Sequence, residues 1–354
     1  MTALEDLLTW RESSTSGEAI NAALASFAEA PPQAGELLAS AERIVVTGAG
    51  SSYYLAQTVA ATARAVLGRP VLAVPLSELI LRPEGVLVGK DGDARREPVV
   101  IISRSGSTSE AVSVAERMRT AGHPTIAVTC RGGSPLAVLA DVALVSPAGD
   151  EAAIVMTRSF ASMLAMLLRL VASVGADHRL AADLDRLPAH WPESVDAAAT
   201  GRRLGATDWS RVVILGGGPA FGIAAEWGLK LTETSQVATT VHEPLEFRHG
   251  PISVCEPGML VIGLVGGAGA GDEVAVVEEA ARLGAATWLI ARDAEEARGT
   301  AGETSLIGGG LDPAARLPLL LHPAHALALS LALTRGCDPD APRHLGQVVI
   351  LGSE

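Results

Sequence analysis

At 354 residues the chain has the length of two ordinary domains. With 48% hydrophobic and 19% charged residues it can build a large core, which excludes global disorder. A formal net charge of -13 repels phosphodiester backbones and argues against general nucleic-acid binding, although local donors can still hold a small phosphorylated ligand.

The first 40 residues read as one or two lead-in helices, punctuated by Pro31 and Pro32. Their opening, MTALEDLLTWRESS, is acidic and lacks a basic stretch followed by an apolar one. It is not read as a signal peptide, and a cytoplasmic location is expected. A strand is predicted from Arg43 to Thr47, running into Gly48, Ala49, Gly50, Ser51 and Ser52, with an Ala-rich helix over 56–67. The segment 85–97, charged and with three glycines, reads as a surface loop. Short apolar runs recur at 98–102, 125–128 and 142–145, with helical stretches between them. This alternation predicts a parallel sheet covered by helices on both faces. Because aromatics make up only 3% of the chain, Ala, Leu and Val must fill the core, which favours helices lying close on the sheet.

The pattern then repeats. RVVILGGG at 211–218 follows RIVVTGAG at 43–50 by 168 residues, and Tyr53 and Phe221 fall at equivalent places. A helix over 220–235 and strands near 259–265 and 286–290 complete a second, related half; 266–271 reads as a loop. The expected fold class is α/β, with two tandem doubly wound parallel-sheet domains of three-layer, flavodoxin-like form. The expected division is a helical lead-in (1–40), a first phosphate-binding domain (41–182), a linker (183–208), a second domain (209–340) and a tail (341–354) that contributes to the site. The apolar run 160–174 is broken by Arg169, and the run 324–333 is too short to cross a bilayer, so no membrane span is expected. Cys130, Cys255 and Cys337 are far apart and form no CxxC pair, which fits neither a disulfide framework nor a zinc site.

Four segments could carry chemistry. The turn at 48–52 lets the backbone bend sharply at a helix N-terminus, where an anion finds N–H groups, and Ser51 and Ser52 add hydroxyls. The loop 101–110, IISRSGSTSE, packs five hydroxyl residues and one glycine into positions 103–109. A cap needs only one hydroxyl, so this nest suits a phosphate monoester. Neither loop matches the Walker or dinucleotide fingerprint. In EWGLKLTE at 226–233, Lys230 and Glu233 are three apart and share one helix face, which spacing alone would also give a surface ion pair. In HEPLEFRHGP at 242–251, two histidines, two carboxylates and an arginine fall within ten residues, and histidine exchanges protons near neutrality. The spacing fits no familiar zinc motif.

Together these segments resemble the SIS (sugar isomerase) domain family, in particular the isomerase half of glucosamine-6-phosphate synthase and its deaminase and isomerase relatives. The likeness covers about residues 40–354 and rests on the serine-rich loop, the EFRHGP segment and the 16 residues from Glu233 to His249 in combination. It implies phosphate binding by Ser52, Ser103, Arg104, Ser105 and Thr108, within a site that also takes in Gly50, Ser51 and Ser107, and it places Glu151 in the site lining. It implies that Glu233 moves a proton between C1 and C2, that Lys230 assists it, and that His249, supplied by a neighbouring subunit, opens the sugar ring. The synthase ends with an imine-forming lysine; here Gln347 stands in that place, and glutamine forms no imine. The expected activity is that of an amino-sugar 6-phosphate isomerase or deaminase without a glutamine-hydrolysing domain, a metal or an organic cofactor. The expected partners are a phosphorylated amino sugar and a second copy of the chain in a homodimer with shared active sites. The alternatives are a non-catalytic sugar-phosphate-binding regulator and a fructosamine-phosphate deglycase. His242, Glu243 and Glu246 are read as ordering the EFRHGP loop.

Overall fold

The computed structural model describes residues 3–87 and 97–348. The chain begins with α1 (Leu8–Ser14), α2 (Ser16–Ser26) and α3 (Pro32–Ser40). It then alternates through β1 (Ile44–Gly48), α4 (Ser51–Leu67), β2 (Val71–Pro75), α5 (Leu76–Leu81), β3 (Val99–Ile102), α6 (Ser109–Ala121), β4 (Thr125–Thr129), α7 (Pro135–Leu139) and β5 (Val142–Val145). Next come α8 (Arg158–Val174), α9 (His178–Asp185) and α10 (Leu187–Gly205). The second alternation is β6 (Arg211–Gly216), α11 (Ala220–Ser235), β7 (Ala238–His242), α12 (Pro244–Phe247), β8 (Met259–Leu264), α13 (Ala270–Arg282), β9 (Ala286–Ala291), β10 (Glu303–Leu306) and α14 (Leu321–Thr334).

Both sheets are wholly parallel and share one topology. The first has the order β2-β1-β3-β4-β5 and the second β10-β9-β8-β6-β7. Reading β6 to β10 as counterparts of β1 to β5 superposes the two orders, as the 168-residue repeat requires. In this order the strand sequence reverses direction between β1 and β3, and again between β6 and β8. Open α/β folds bind ligands at such reversals, beyond the carboxyl ends of the strands.

The described parts of 18–152, 158–185 and 346–354 form one compact unit, and those of 1–17, 153–157 and 186–345 form the other. In the first unit Val45, Val99, Ile101, Val114, Met118 and Leu136 build one side of the core. Helix α8, buried along most of its length, packs on α4. In the second unit Val213, Val261, Leu289 and Val277 fill the layer between the sheet and α13. The segment 183–208, read from the sequence as a linker, is mostly α10, which packs along α14 rather than bridging through solvent. Small residues make this approach possible. A Cβ at Gly201 would lie 2.6 Å from the Pro323 carbonyl oxygen, and one at Gly205 2.6 Å from Ser330 Cβ. The apolar stretch of α14 is longer than its sequence suggested. With the turn before it, 317–334 is long and apolar enough to cross a membrane by length and composition, and 83% of it is buried inside the protein, as befits a core helix. The segment 85–97 lies largely outside the described residues, as do 349–354 of the tail.

Candidate active site

In the first unit, β1 and β3 end side by side and each opens into a serine-bearing turn before a helix. Gly50, at φ +55°, turns the chain from β1 into α4, and Ser51 and Ser52 occupy its buried first turn. After β3, the loop 103–108 is held by its backbone. Ser103 N–H donates to the Val128 carbonyl (3.0 Å), the Arg104 carbonyl accepts from Cys130 N–H (3.0 Å) and Thr129 Oγ1 (3.0 Å), and the Gly106 carbonyl accepts from Leu136 N–H (3.0 Å). Gly106 has φ +61°, and a Cβ there would meet Ser134 Oγ at 2.0 Å, so no other residue fits. The hydroxyls cluster on this frame. Ser103 Oγ lies 3.4 Å from Thr108 Oγ1, Ser105 Oγ accepts from Ser107 N–H (3.2 Å), and Ser107 Oγ donates to the Ser105 carbonyl (3.3 Å).

Arg104 is placed differently from a simple phosphate clamp. Its guanidinium is 5% exposed and faces Glu151 at 3.5 Å, while Nη2 donates to the Gln347 carbonyl (2.9 Å). Ser159 Oγ also donates to the Glu151 carboxylate. The arginine charge thus faces a carboxylate within the same unit, and the hydroxyls of the loop lie beside the N-termini of α4 and α6. Gln347 serves as a clamp: its side-chain amide donates to the carbonyls of Glu151 (3.0 Å) and Ala152 (3.3 Å). Burial, with Glu151 and Asp150 adding to it, pushes the nearby Cys130 thiol far up, so this cysteine is not a nucleophile.

In the second unit, α11 carries three ionisable side chains on one stripe. Lys230, 2% exposed, places Nζ 2.6 Å from Glu233 Oε2 and 3.4 Å from Glu226 Oε1. Glu226 is fully buried, whereas the Glu233 side chain keeps 18% of its surface. Burial works against the Lys230 charge, but the carboxylates of Glu226 and Glu233 outweigh it and hold the ammonium above its ordinary pKa. The spacing that predicted a pair thus yields a buried triad. Glu226 was not singled out from the sequence, although its place one turn before Lys230 was a legible signal. The chain has only two lysines, Lys90 and Lys230, and Lys90 lies outside the described residues.

His249 is exposed on the turn after α12, its N–H donating to the Glu246 carbonyl (3.0 Å). His242 packs on Phe247 with ring centroids 5.5 Å apart, and burial lowers its pKa. The Glu243 carbonyl caps α12 by accepting from Phe247 N–H (3.0 Å). The Arg248 guanidinium ties the loop to α13 through Glu279 (2.8 Å). His242 and Glu243 thus order the loop. Among the described residues no three His, Cys, Asp or Glu side chains gather as a metal site needs.

At the reversal between β6 and β8, the counterpart of the serine loops, carboxylates occupy the backbone N–H groups. The Glu243 carboxylate takes the Gly218 N–H, Glu273 takes Gly266 N–H (3.2 Å), and Glu296 takes Gly267 N–H (3.3 Å). Burial raises the pKa of Glu273, with Glu243 and Glu296 adding to the effect. A small cavity remains there, lined by Gly217, Ala220, Gly266 and the buried Arg316.

The SIS domain family model matches residues 37–173 and 207–298. The chain is 31% identical over 363 residues to the protein named "Putative D-galactosamine-6-phosphate deaminase AgaS" of Streptomyces coelicolor, covering 96% of this chain and 89% of that protein. It is 26% identical over 342 residues to glutamine–fructose-6-phosphate aminotransferase (isomerizing) of Pectobacterium atrosepticum, covering 92% of this chain and 54% of that one, so it spans about half the length of this relative. The solved C-terminal domain of glucosamine-fructose-6-phosphate aminotransferase from Francisella tularensis superposes with a TM-score of 0.85 at 19% identity, covering 96% of this chain and all of that one. With more than half of its residues matched and both sheets in the same order, this chain belongs to the SIS domain family.

Proposed function

We propose that the chain is an amino-sugar 6-phosphate isomerase and deaminase working by acid–base proton transfer. The observation that carries this is the triad on α11: a lysine locked between two carboxylates, one of them still open to solvent. An ammonium held in this way cannot form an imine, which requires a neutral amine. Gln347 offers none either. The remaining chemistry is proton movement, for which the partly exposed Glu233 is the suitable group.

In this reading the serine loops after β1 and β3 take the phosphate, and His249 assists ring opening. Glu233 removes the C2 proton of the open aldehyde and returns it at C1. The C1–C2 enaminol thereby becomes a C2 ketimine, whose hydrolysis consumes one water and yields ammonia and a ketose 6-phosphate. Lys230 Nζ, 2.6 Å from Glu233 Oε2, holds that carboxylate in place and can hydrogen-bond the sugar oxygen that gains charge. A base of this kind contributes about 10²–10⁴-fold. The relative named as a galactosamine-6-phosphate deaminase, matched along nearly its whole length, supports the deaminase over the isomerase alone.

The test is incubation with glucosamine 6-phosphate and galactosamine 6-phosphate, recording ammonia and ketose 6-phosphate together. Equal amounts of both products from one substrate, and neither from Glu233→Gln, are expected. Binding without turnover would move the reading to a sugar-phosphate sensor. The proposal includes a homodimer in which exposed His249 serves its neighbour's site. Mixing inactive Glu233→Gln and His249→Asn chains should then restore about a quarter of the activity, because half the dimers are hybrid and each hybrid holds one intact site.

A further inference from the structure

The chain leaves the second unit after Leu345 and returns to the first at Gly346. Just before this return, His344 sits at φ +62°, in the left-handed region that a residue other than glycine keeps only where its surroundings hold it. The tail is held on a run of three backbone carbonyls. That of Asp150 accepts from Arg158 Nε (2.9 Å), and those of Glu151 and Ala152 accept from Gln347 Nε2 (3.0 and 3.3 Å). A primary amide carries two hydrogens on one nitrogen, so a single glutamine meets two neighbouring carbonyls; a glutamate of the same shape has no donor to offer them.

Arg104 completes the tie from the side of the serine-rich loop. Its Nη2 donates to the Gln347 carbonyl (2.9 Å), and its Nη1 faces Glu151 Oε1 at 3.5 Å. Ser159 Oγ donates to the same carboxylate, whose side chain is fully buried. The Arg104 backbone is fixed separately, its carbonyl accepting from Cys130 N–H and Thr129 Oγ1. The guanidinium therefore joins three parts of the unit: the loop that carries it, the Glu151 carboxylate, and a tail residue 243 positions further along the chain. The rigid fork of arginine suits such a bridge, which the single ammonium of a lysine would not span in the same way.

We infer that Arg104 is a positioning residue: it docks the C-terminal tail onto segment 150–152 through Gln347, and the phosphate is left to the hydroxyls and amides of the serine loops. The inference rests on reading those loops as the phosphate site, and it parts from the phosphate-binding role that the family resemblance implies for Arg104. The residue standing in place of the imine-forming lysine then acts through its two amide hydrogens, as the point at which the tail is fastened.

Trypsin reads the tail directly, because Arg343 is exposed and lies shortly before Gln347. Cleavage there releases 344–354 and requires the neighbouring tail to leave its seat. On the full chain, mass spectrometry follows this cleavage, calorimetry gives the Kd for inorganic phosphate, and turnover of a hexosamine 6-phosphate gives kcat and KM. In Arg104→Gln cleavage should quicken by about 10- to 100-fold, the worth of a hydrogen bond to a charged group, while the phosphate Kd stays within about twofold. kcat should fall about tenfold with KM nearly unchanged, because misplacing a part of the site costs rate more than binding. Gln347→Glu should quicken cleavage likewise, and the double variant should fall short of the product of the two single effects, since both release one tail. A rise of about tenfold or more in the phosphate Kd of Arg104→Gln would overturn the inference, for that is the loss of a charged phosphate ligand. Unchanged cleavage in a folded Arg104→Gln chain would overturn it too. Should that variant fail to fold, Arg104→Lys keeps the charge without the fork: faster cleavage with phosphate affinity kept supports the inference, and unmoved cleavage overturns it. Should the wild type turn over no hexosamine phosphate, the functional reading falls, and phosphate affinity and cleavage in the same variants still decide this one.

Discussion

Replacing Lys230 with methionine keeps most of the side-chain volume and removes the cation from the α11 triad. Glu226, fully buried, then loses the charge that offsets its desolvation, while Glu233 can still reach water. Removing one partner from a buried ion pair costs about 3–5 kcal/mol. For a unit of this size each kcal/mol lowers the melting temperature by about 2–4 °C, so a drop of roughly 6–20 °C is expected. The cost belongs to the stranded carboxylate and not to lost packing, so Glu226→Gln combined with Lys230→Met should recover most of it. Calorimetric melting of the wild type, the single variant and the double variant at pH 7.5 measures both terms. A loss below about 1 kcal/mol, the usual worth of an exposed pair, would refute the claim that the triad is a buried charge cluster. A double variant no more stable than the single one would refute it equally.

Other consequences follow from the same geometry. Ser103→Ala leaves the backbone anchors of the loop intact and removes one hydroxyl, so KM for the sugar phosphate should rise about 10- to 100-fold, the worth of a hydrogen bond to a charged group, with little change in stability. Borohydride reduction in the presence of substrate should leave the wild-type chain unlabelled, because Lys230 is locked as an ammonium. A Gln347→Lys chain places an amine in the tail, and trapping of sugar there would show that the position still faces the site. For pH, His322 titrates near 4 in the folded chain against the ordinary 6.5, so the unfolded state binds the extra proton first. Stability is therefore full above about 6.5 and falls as pH drops towards 4, by up to about 3 kcal/mol. His322→Phe, which keeps the stack with Trp10 and Trp191, should lessen this slope in melts between pH 4 and 7, leaving the share of buried His325 in place.

The central strands were legible because Val and Ile runs buried on both faces stand out in any sequence, and the 168-residue repeat fixed their correspondence. Of the edge strands, only β5 was read; β2 is a short apolar run, VLAV, cut off by Pro75, while β7 reads ATTVH with exposed and half-buried positions and β10 buries only Ser305, so neither of the last two shows an apolar run. The two-unit division was half legible. The repeat marked the halves, but α10 looked like a connector because the residues that bury it against α14 are small, Gly201 and Gly205 among them. At the site, the hydroxyl density of 103–109 and the Lys230–Glu233 spacing could be read directly. The partnering of Arg104 with Glu151 could not, because it joins residues 47 positions apart through a fold only the coordinates supply. Nor could Ser13, which meets His322 and His325 from more than 300 residues away.

The most direct test of Glu233 as the base that moves the proton is turnover of a hexosamine 6-phosphate in deuterium oxide, followed by NMR of the ketose product. Deuterium at C1 in the wild-type product, with no product and no exchange of the substrate C2 proton in Glu233→Gln, is the expected result. Exchange that continues undiminished in Glu233→Gln would contradict the assignment and send the search for the base elsewhere in the chain.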